Sequence, residues 1–361
     1  MIDASMIITE ALVQSGADVF IGYPITPSNL FYKYSKERFP EFLAGPDEIS
    51  VIQWMCGYAA SGKIPVTATA FPGLALMAET INMAYMIELP MVLIITQRLG
   101  PSTGSATTGA QGDLKFLDGI ISGGFPLPVF SPSNFTDVWY LANEAVKTAV
   151  QLRTPVIFLT SKEMVMTQKS FDINSLETLN KIELKSKPFR GEYQPYKAGD
   201  DMVPPYFPLG NEHYQTRFNS STHDNNGLIR KGTPESLANT IRLKEKVERS
   251  VANFTFYELD EQKGAKKLIV SWGVSADASR DVVKELGTLG EKVSLLVVKT
   301  LIPVPEIIYE IIEAYDEVVF VEENLTGMYK ELLFGKKHTS TIKVVSAFGS
   351  MLTPSTIKEA F

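Results

Sequence analysis

Two uninterrupted apolar runs, residues 91–96 and 154–160, do most to limit what this chain can fold into. A strand that is apolar at every position must be covered on both faces. That is the situation of a parallel sheet with helices on either side. The flanking segments fit it. Helices are expected over 5–15, 28–38, 48–60 and 74–86, and strands over 17–23 and 65–70, so strands and helices alternate in βαβ units. Gly16 and Ser61-Gly62 stand where the first and third helices should stop.

The alternation fails between residues 169 and 232. Pro204, Pro205, Pro208 and Gly210 crowd together there, and Asn226-Gly227 is a turn signal. The aromatics of this stretch, among them Tyr193, Tyr196, Tyr206 and Phe207, imply that it packs on a surface. Thr233-Pro234 then reads as a helix start, with Leu237, Ile241, Val247, Val251 and Phe254 as its apolar stripe. A second α/β pattern follows. Its strands are expected over 267–271, 293–298, 317–322 and 342–346, and its helices over 275–286, 305–315 and 327–334. The expected organisation is therefore α/β, with a doubly wound domain over 1–168, an irregular connecting segment over 169–232 and a second α/β domain over 233–361. A chain of 361 residues can bury enough surface to fold without a disulfide or a metal.

Composition removes several classes of function. The net charge is -7, which argues against nucleic acid or an anionic membrane as the main partner. Cys56 is the single cysteine and there are three histidines, so a disulfide framework, an iron–sulfur cluster or a zinc site built within this chain is excluded. The start of the chain has no basic residue before the acids Asp3 and Glu10, unlike a secretory signal, and residues 89–96 are too few to span a bilayer. A cytoplasmic protein is expected. No Ser/His/Asp order, Walker loop or dinucleotide glycine fingerprint is present.

Ligand sites in open parallel sheets lie beyond the carboxyl ends of the strands, which singles out three positions. Gly22-Tyr23-Pro24-Ile25-Thr26-Pro27 is a loop stiffened by two prolines, which presents Thr26 either to a substrate or as a cap on the next helix. Arg98-Leu99-Gly100-Pro101-Ser102-Thr103-Gly104 follows a buried strand. It is either a polar surface loop or a site where a guanidinium grips an anion. Glu48 opens a helix, where an acid ordinarily compensates the helix dipole. His223, in a turn with Asp224, reads as structural.

Together these segments resemble the α subunit of the 2-oxoacid:ferredoxin oxidoreductases. The match runs in order through Tyr23-Pro24-Ile25-Thr26-Pro27, Glu48, Thr67-Ala68-Thr69 with Pro72-Gly73-Leu74, Gln97-Arg98-Leu99-Gly100-Pro101-Ser102-Thr103-Gly104, and Gln111-Gly112-Asp113-Leu114. Thr222-His223-Asp224 with Gly227 is similar to a short segment that precedes the family's second domain. Ser271-Trp272-Gly273, Leu301-Ile302-Pro303-Val304-Pro305 and Val321-Glu322-Glu323-Asn324 look like that domain, which is transketolase C-terminal-like. Three places differ: Phe71 stands where the family usually has Gly, Ile2-Asp3-Ala4-Ser5 where a Gly-Asn is customary, and Gly327-Met328 where Gly-Gln is common.

The resemblance implies an N-terminal pyrimidine-binding domain of a thiamine diphosphate site shared with a β subunit. That subunit would hold the diphosphate, Mg²⁺ and an iron–sulfur cluster (4Fe–4S). It implies that Glu48 bonds N1′ of the aminopyrimidine and promotes the imino form, that Pro24, Ile25, Pro72 and Gly73 line the cofactor, and that Thr26, Arg98 and Thr103 contact the substrate. The implied reaction is oxidative decarboxylation of a 2-oxoacid to an acyl-CoA with electrons passed to ferredoxin. Gly100-Pro101-Ser102-Thr103-Gly104 looks most like the 2-oxoglutarate enzymes. The implied partners are the β subunit, a γ subunit, ferredoxin, coenzyme A and the oxoacid. Two alternatives stay open at this point: a subunit of a non-redox thiamine diphosphate enzyme, and a non-catalytic scaffold subunit of such a complex.

Overall fold

Strands β1 (Val19–Gly22), β2 (Glu41–Ala44), β3 (Pro65–Thr69), β4 (Met91–Gln97), β5 (Val129–Phe130) and β6 (Pro155–Ser161) run parallel in the order β5-β6-β4-β3-β1-β2. This is a computed structural model, and it describes residues 1–186, 192–337 and 340–361. Residues 187–191 of the expected connecting segment lie outside the described residues. β3, β4 and β6 are buried at every position, as their apolar runs require. Helices α1 (Ala4–Gln14) and α2 (Asn29–Arg38) pack on each other. So do α3 (Glu48–Ala60) and α4 (Phe71–Met86), whose Val51, Ile52, Leu74 and Met77 meet Ile21, Leu93 and Ile95 of the sheet. Helices α5 (Leu114–Asp118), α6 (Phe135–Leu152) and α7 (Lys162–Met166) complete this unit. α6 joins α1 in a separate core around Phe20, Ile94 and Phe158.

The second unit has β7 (Tyr257–Asp260), β8 (Lys267–Trp272), β9 (Val293–Val298), β11 (Glu317–Glu322) and β12 (Ile342–Ser346), in the order β12-β11-β8-β9-β7 with β7 antiparallel. Strand β10 (Thr300–Ile302) leaves it and pairs antiparallel with β5, so the first sheet has seven strands and the two units are stitched together. The segments 267–271 and 293–298 are readable because Leu268, Ile269 and Val270, and Leu295, Leu296, Val297 and Val298, form short unbroken apolar runs. Strands β2, β5, β7 and β10 fell outside the sequence reading: none exceeds four residues. The 18-residue helix α6 also escaped it, because buried Asp137, Asn143 and Thr148 interrupt its apolar face.

Helix α8 (Pro234–Ser250) corrects one expectation. Leu237 and Ile241 are 48% and 56% exposed, and the buried face carries Leu243, Lys246 and Val247. Charge pairing sets the rotation of this helix. Glu88, fully buried after α4, accepts from Arg242 at 2.5 and 3.0 Å and from Lys246 at 2.7 Å. Arg153, just past α6, donates to the carbonyls of Glu88, Pro204 and Pro205. Burial pushes the Glu88 carboxyl up, but Lys246 and Arg242 more than reverse this and hold it well below the usual carboxylate range. Burial pushes the Lys246 ammonium down to about 8, against the pull of Glu88. Thus α8, expected in the second domain, is anchored to the first.

The rest of α9 (Ser275–Thr288), α10 (Glu306–Glu313), α11 (Met328–Phe334) and α12 (Pro354–Lys358) belongs to the second unit. The connecting segment is mostly irregular and straps the first unit: Tyr206 donates to the Ala59 carbonyl at 2.6 Å and Leu209 N–H to the Ala60 carbonyl at 2.8 Å. Among the described residues no helix is long and apolar enough to cross a membrane, and no group of three or more His, Cys, Asp or Glu is disposed to hold a metal ion.

Candidate active site

The site is built where the loops leave the carboxyl ends of four adjacent parallel strands, β2, β1, β3 and β4. Ser28 fixes the loop after β1. Its hydroxyl donates to the Thr69 carbonyl at 2.8 Å and lies 2.9 Å from Thr96 Oγ1, spanning β3 and β4. Pro24 is exposed at the rim, and Ile25 and Thr26 are half-buried. Ser28, not Thr26, occupies the cap position of α2. Thr26 meets Arg98 through its backbone carbonyl, which accepts from a guanidinium nitrogen at 2.5 Å.

Glu48 opens α3, but Asp47 caps that helix by accepting from Ser50 N–H at 2.7 Å. The helix end is therefore served without Glu48. Glu48 is 7% exposed, and its carboxylate accepts no hydrogen bond among the described residues. The start of α4 lies against it. Pro72 stands in the first turn, where its missing N–H costs nothing. At Gly73 a Cβ would come within 2.2 Å of Thr69 Oγ1, 2.7 Å of Glu48 Cγ and 2.9 Å of Glu48 Oε1. Only glycine lets α4 approach this closely. The Glu48 oxygens keep some access to solvent and have no donor among the described residues, so they are free to accept a hydrogen bond from a ligand. The ring nitrogen of an aminopyrimidine would supply it, so Glu48, Thr69 and Gly73 fit that half of thiamine diphosphate.

Beside this, a cavity of about 300 Å³ opens between the two units, lined by Phe71, Arg98, Asp113, Asn324, Met328 and Phe348 among others. Phe71 packs edge-on against Phe116, with centroids 5.3 Å apart, and forms an apolar wall. Arg98 is 5% exposed and its Nε has no partner. Burial pushes the guanidinium down and Asp113 opposes this. Asp113 is 4% exposed and its Oδ2 has no partner. Burial pushes the Asp113 carboxyl up to about 7, against the pull of Arg98. Thr103, expected to touch substrate, stands at the exposed tip of a turn closed by Ser105 N–H on the Leu99 carbonyl, outside the cavity lining.

Gln111 joins the units. Its amide donates to the Trp272 carbonyl at 2.6 Å, and its Oε1 accepts from Glu323 N–H at 2.7 Å. A Cβ at Gly273, which has φ +56, would come 2.9 Å from Gln111 Nε2. Hence the short sequence blocks 271–273 and 321–324 form a dock for the first unit. His223 lies elsewhere. Its ring packs at a tilt against Tyr196, centroids 3.8 Å apart, Nδ1 lies 2.7 Å from the Ser221 carbonyl, and burial pushes its pKa down. It organises the connecting segment. The sequence reading gave Asp113, Gln111, Asn324 and Phe348 no role. Asp113 and Gln111 stood within a quoted block, but only the fold shows what they face.

Residues 10–242 match the family described as pyruvate flavodoxin/ferredoxin oxidoreductase, thiamine diphosphate-binding. The chain is 28% identical over 357 residues to the 2-oxoglutarate synthase subunit KorA of Methanocaldococcus jannaschii, covering 96% of this chain and 95% of that protein. It is 30% identical over 330 residues to the 2-oxoglutarate oxidoreductase subunit KorA of Mycobacterium tuberculosis, covering 89% of this chain and 50% of that protein. It superposes on a solved 2-oxoglutarate:ferredoxin oxidoreductase from Magnetococcus marinus, with 2-oxoglutarate, coenzyme A and succinyl-CoA bound, at a TM-score of 0.90 and 25% identity. That likeness covers 99% of this chain and 64% of the other. A split-gene transketolase matches at a TM-score of 0.58 and 15% identity, which shows the fold alone.

Proposed function

The chain belongs to the pyruvate flavodoxin/ferredoxin oxidoreductase family of thiamine diphosphate-binding proteins, and on that premise we propose that it is the α subunit of a 2-oxoacid:ferredoxin oxidoreductase acting on 2-oxoglutarate. One observation carries the reading: a buried, unpartnered Glu48 lies flush against Gly73, beside a cavity that presents Arg98. The names of the relatives support the substrate.

Thiamine diphosphate supplies, when bound, the carbanion chemistry that releases carbon dioxide from a 2-oxoacid. This chain would contribute placement and proton control. Glu48 shares a proton with N1′ of the pyrimidine. Arg98, held to the Thr26 carbonyl, faces the oxoacid carboxylate. Phe71, Met328 and Phe348 keep water from the cavity.

The remaining groups are assigned to partners. A β subunit would hold the diphosphate, Mg²⁺ and the iron–sulfur cluster, a γ subunit would complete the complex, and ferredoxin and coenzyme A would be the co-substrates, in the cytoplasm. Tyr23, after β1, and Ile49, at the start of α3 beside Glu48, are exposed apolar side chains that a partner subunit would cover. The reading is tested by isolating the complex from its native host and assaying 2-oxoglutarate- and coenzyme A-dependent reduction of a viologen dye. No reduction by a complex that carries the β chain would overturn it. The isolated chain is expected to be colourless and iron-free, since it has one cysteine. Stoichiometric iron in elemental analysis would refute the assignment of the cluster to the partner.

Arg98→Ala is expected to lower kcat/KM for 2-oxoglutarate by about 2–5 kcal/mol equivalent, as for a truncated desolvated charge pair. Arg98→Lys keeps the charge but loses the planar fork, so it should recover only part. Cofactor occupancy and assembly, measured alongside, should hold. Their loss with unchanged oxoacid kinetics would make Arg98 an interface residue.

A further inference from the structure

Arg98 and Asp113 are the two charged side chains among the described residues that line the cavity, and the proposed reaction employs the first alone. Both are buried, both keep an unpartnered polar atom, and they form no ion pair with each other. An ionised carboxylate buried without a donor is strongly disfavoured. A neutral carboxyl in the same place has a hydrogen to give. We infer that Asp113 is a substrate-binding residue: it binds the oxoacid in its protonated form, donating a hydrogen bond to the ligand's carboxylate while Arg98 supplies the charge. The inference rests on the reading of Arg98 as the carboxylate's partner.

The surroundings leave Arg98 as the charge that acts on Asp113. From α4 it faces Phe71, from the turn after β11 Asn324 and Leu325, from α11 Met328, and from the chain after β12 Phe348. Lys115, two residues along, is already paired with Glu331 of α11. Glu323, next to Asn324, is engaged by Leu352 N–H and is coupled instead to Glu163. The Asp113 backbone N–H donates to Gln97 Oε1, which anchors the residue at the end of β4.

With Asp113 ionised the cavity is electrically neutral and a carboxylate ligand meets a like charge. With Asp113 protonated the cavity is singly positive, and an entering carboxylate meets the guanidinium charge and the acid hydrogen together. Burial already holds the Asp113 carboxyl up at about 7, against the pull of Arg98. The ligand's negative charge shifts it fully to the neutral form, so one proton comes from solvent on binding and returns on release. A carboxylic acid held neutral by an apolar site is a known hydrogen-bond donor in catalysis.

The test uses the assembled complex and oxamate, an unreactive oxoacid analogue, with calorimetry in buffers of different ionisation enthalpy. At pH 8 the wild type should take up about one proton per oxamate, and affinity should fall about tenfold per pH unit above 7. Asp113→Asn mimics the protonated acid. It should bind without proton uptake and with a flat profile, at least as tightly at pH 8 as the wild type does at pH 6.5. Asp113→Ala should bind about tenfold more weakly at pH 6.5. If the wild type takes up no proton while Arg98→Ala weakens oxamate binding, the role of Asp113 is overturned and that of Arg98 stands. If Asp113→Asn binds as poorly as Asp113→Ala at every pH, the role of Asp113 is likewise overturned. Unchanged oxamate binding in Arg98→Ala overturns the carboxylate reading, and this inference with it.

Discussion

Glu48→Gln in the assembled complex is expected to lower 2-oxoglutarate turnover by about 10²–10⁴-fold, the range for a positioned acid–base group. The substitution keeps the length of the side chain and its contact with Gly73, and removes only the ability to hold a proton at the pyrimidine nitrogen. Little structural cost should accompany it. The Glu48 carboxylate accepts no bond among the described residues, and Asp47 already caps α3. Turnover should therefore collapse while subunit association and thiamine diphosphate content stay near wild type. Measuring all three separates the effect from a folding defect. Full activity with intact assembly would return Glu48 to the role of a helix-dipole residue and remove the observation on which the proposed function stands.

What was legible in the sequence followed from burial. β4 and β6 declare themselves because both faces of a central parallel strand are covered, so Met91 to Ile95 and Pro155 to Leu159 are apolar without a break. Helix α3 is read over its full span from Glu48, with Ser61-Gly62 ending it, and the fold adds the Asp47 cap. Strands β5 and β10 have two and three residues, too short for any period, and exist because the two units press together. The face of α8 was misjudged for a related reason. Periodicity counts apolar side chains, whereas this helix is seated by Arg242 and Lys246 on one buried acid. The same divide runs through the site. Glu48, Thr26 and Arg98 stand out from loops at strand ends and Gly73 from the family resemblance alone, and the fold brings these segments to one edge. Only the folded chain shows that Asp113 shares a cavity with Arg98 and that Thr103 stands at the exposed tip of its turn. Neither direction is written in a single loop.

Glu88→Ala is the second change with a large expected effect, and it acts on stability. Glu88 binds two cations that belong to a helix more than 150 positions away in sequence. Removing one partner of a buried pair leaves the others charged and unpaired, which costs about 3–5 kcal/mol. Here Lys246 and Arg242 would be stranded together, and Arg153 lies close enough to add to the repulsion. The loss should be local at first. α8 and the strap around Pro204 should lose hydrogen-exchange protection before the central sheet does, since their shared anchor is gone. Replacing the cluster by apolar groups of similar volume, as in Glu88→Leu with Lys246→Met and Arg242→Met, should restore much of the stability, because no unpaired charge then remains.

The pH dependence of this anchor has a definite sign. The Glu88 carboxyl is held below its ordinary value in the fold, so its contribution is complete above about 4.5 and is lost as pH falls through the lower folded value. The stability difference between wild type and Glu88→Gln, read from urea midpoints, should shrink as pH falls below 4.5. A difference under about 1 kcal/mol at pH 7, with unchanged exchange over α8, would show that the helix is held by Leu243 and Val247 alone and that the charges merely fit around it.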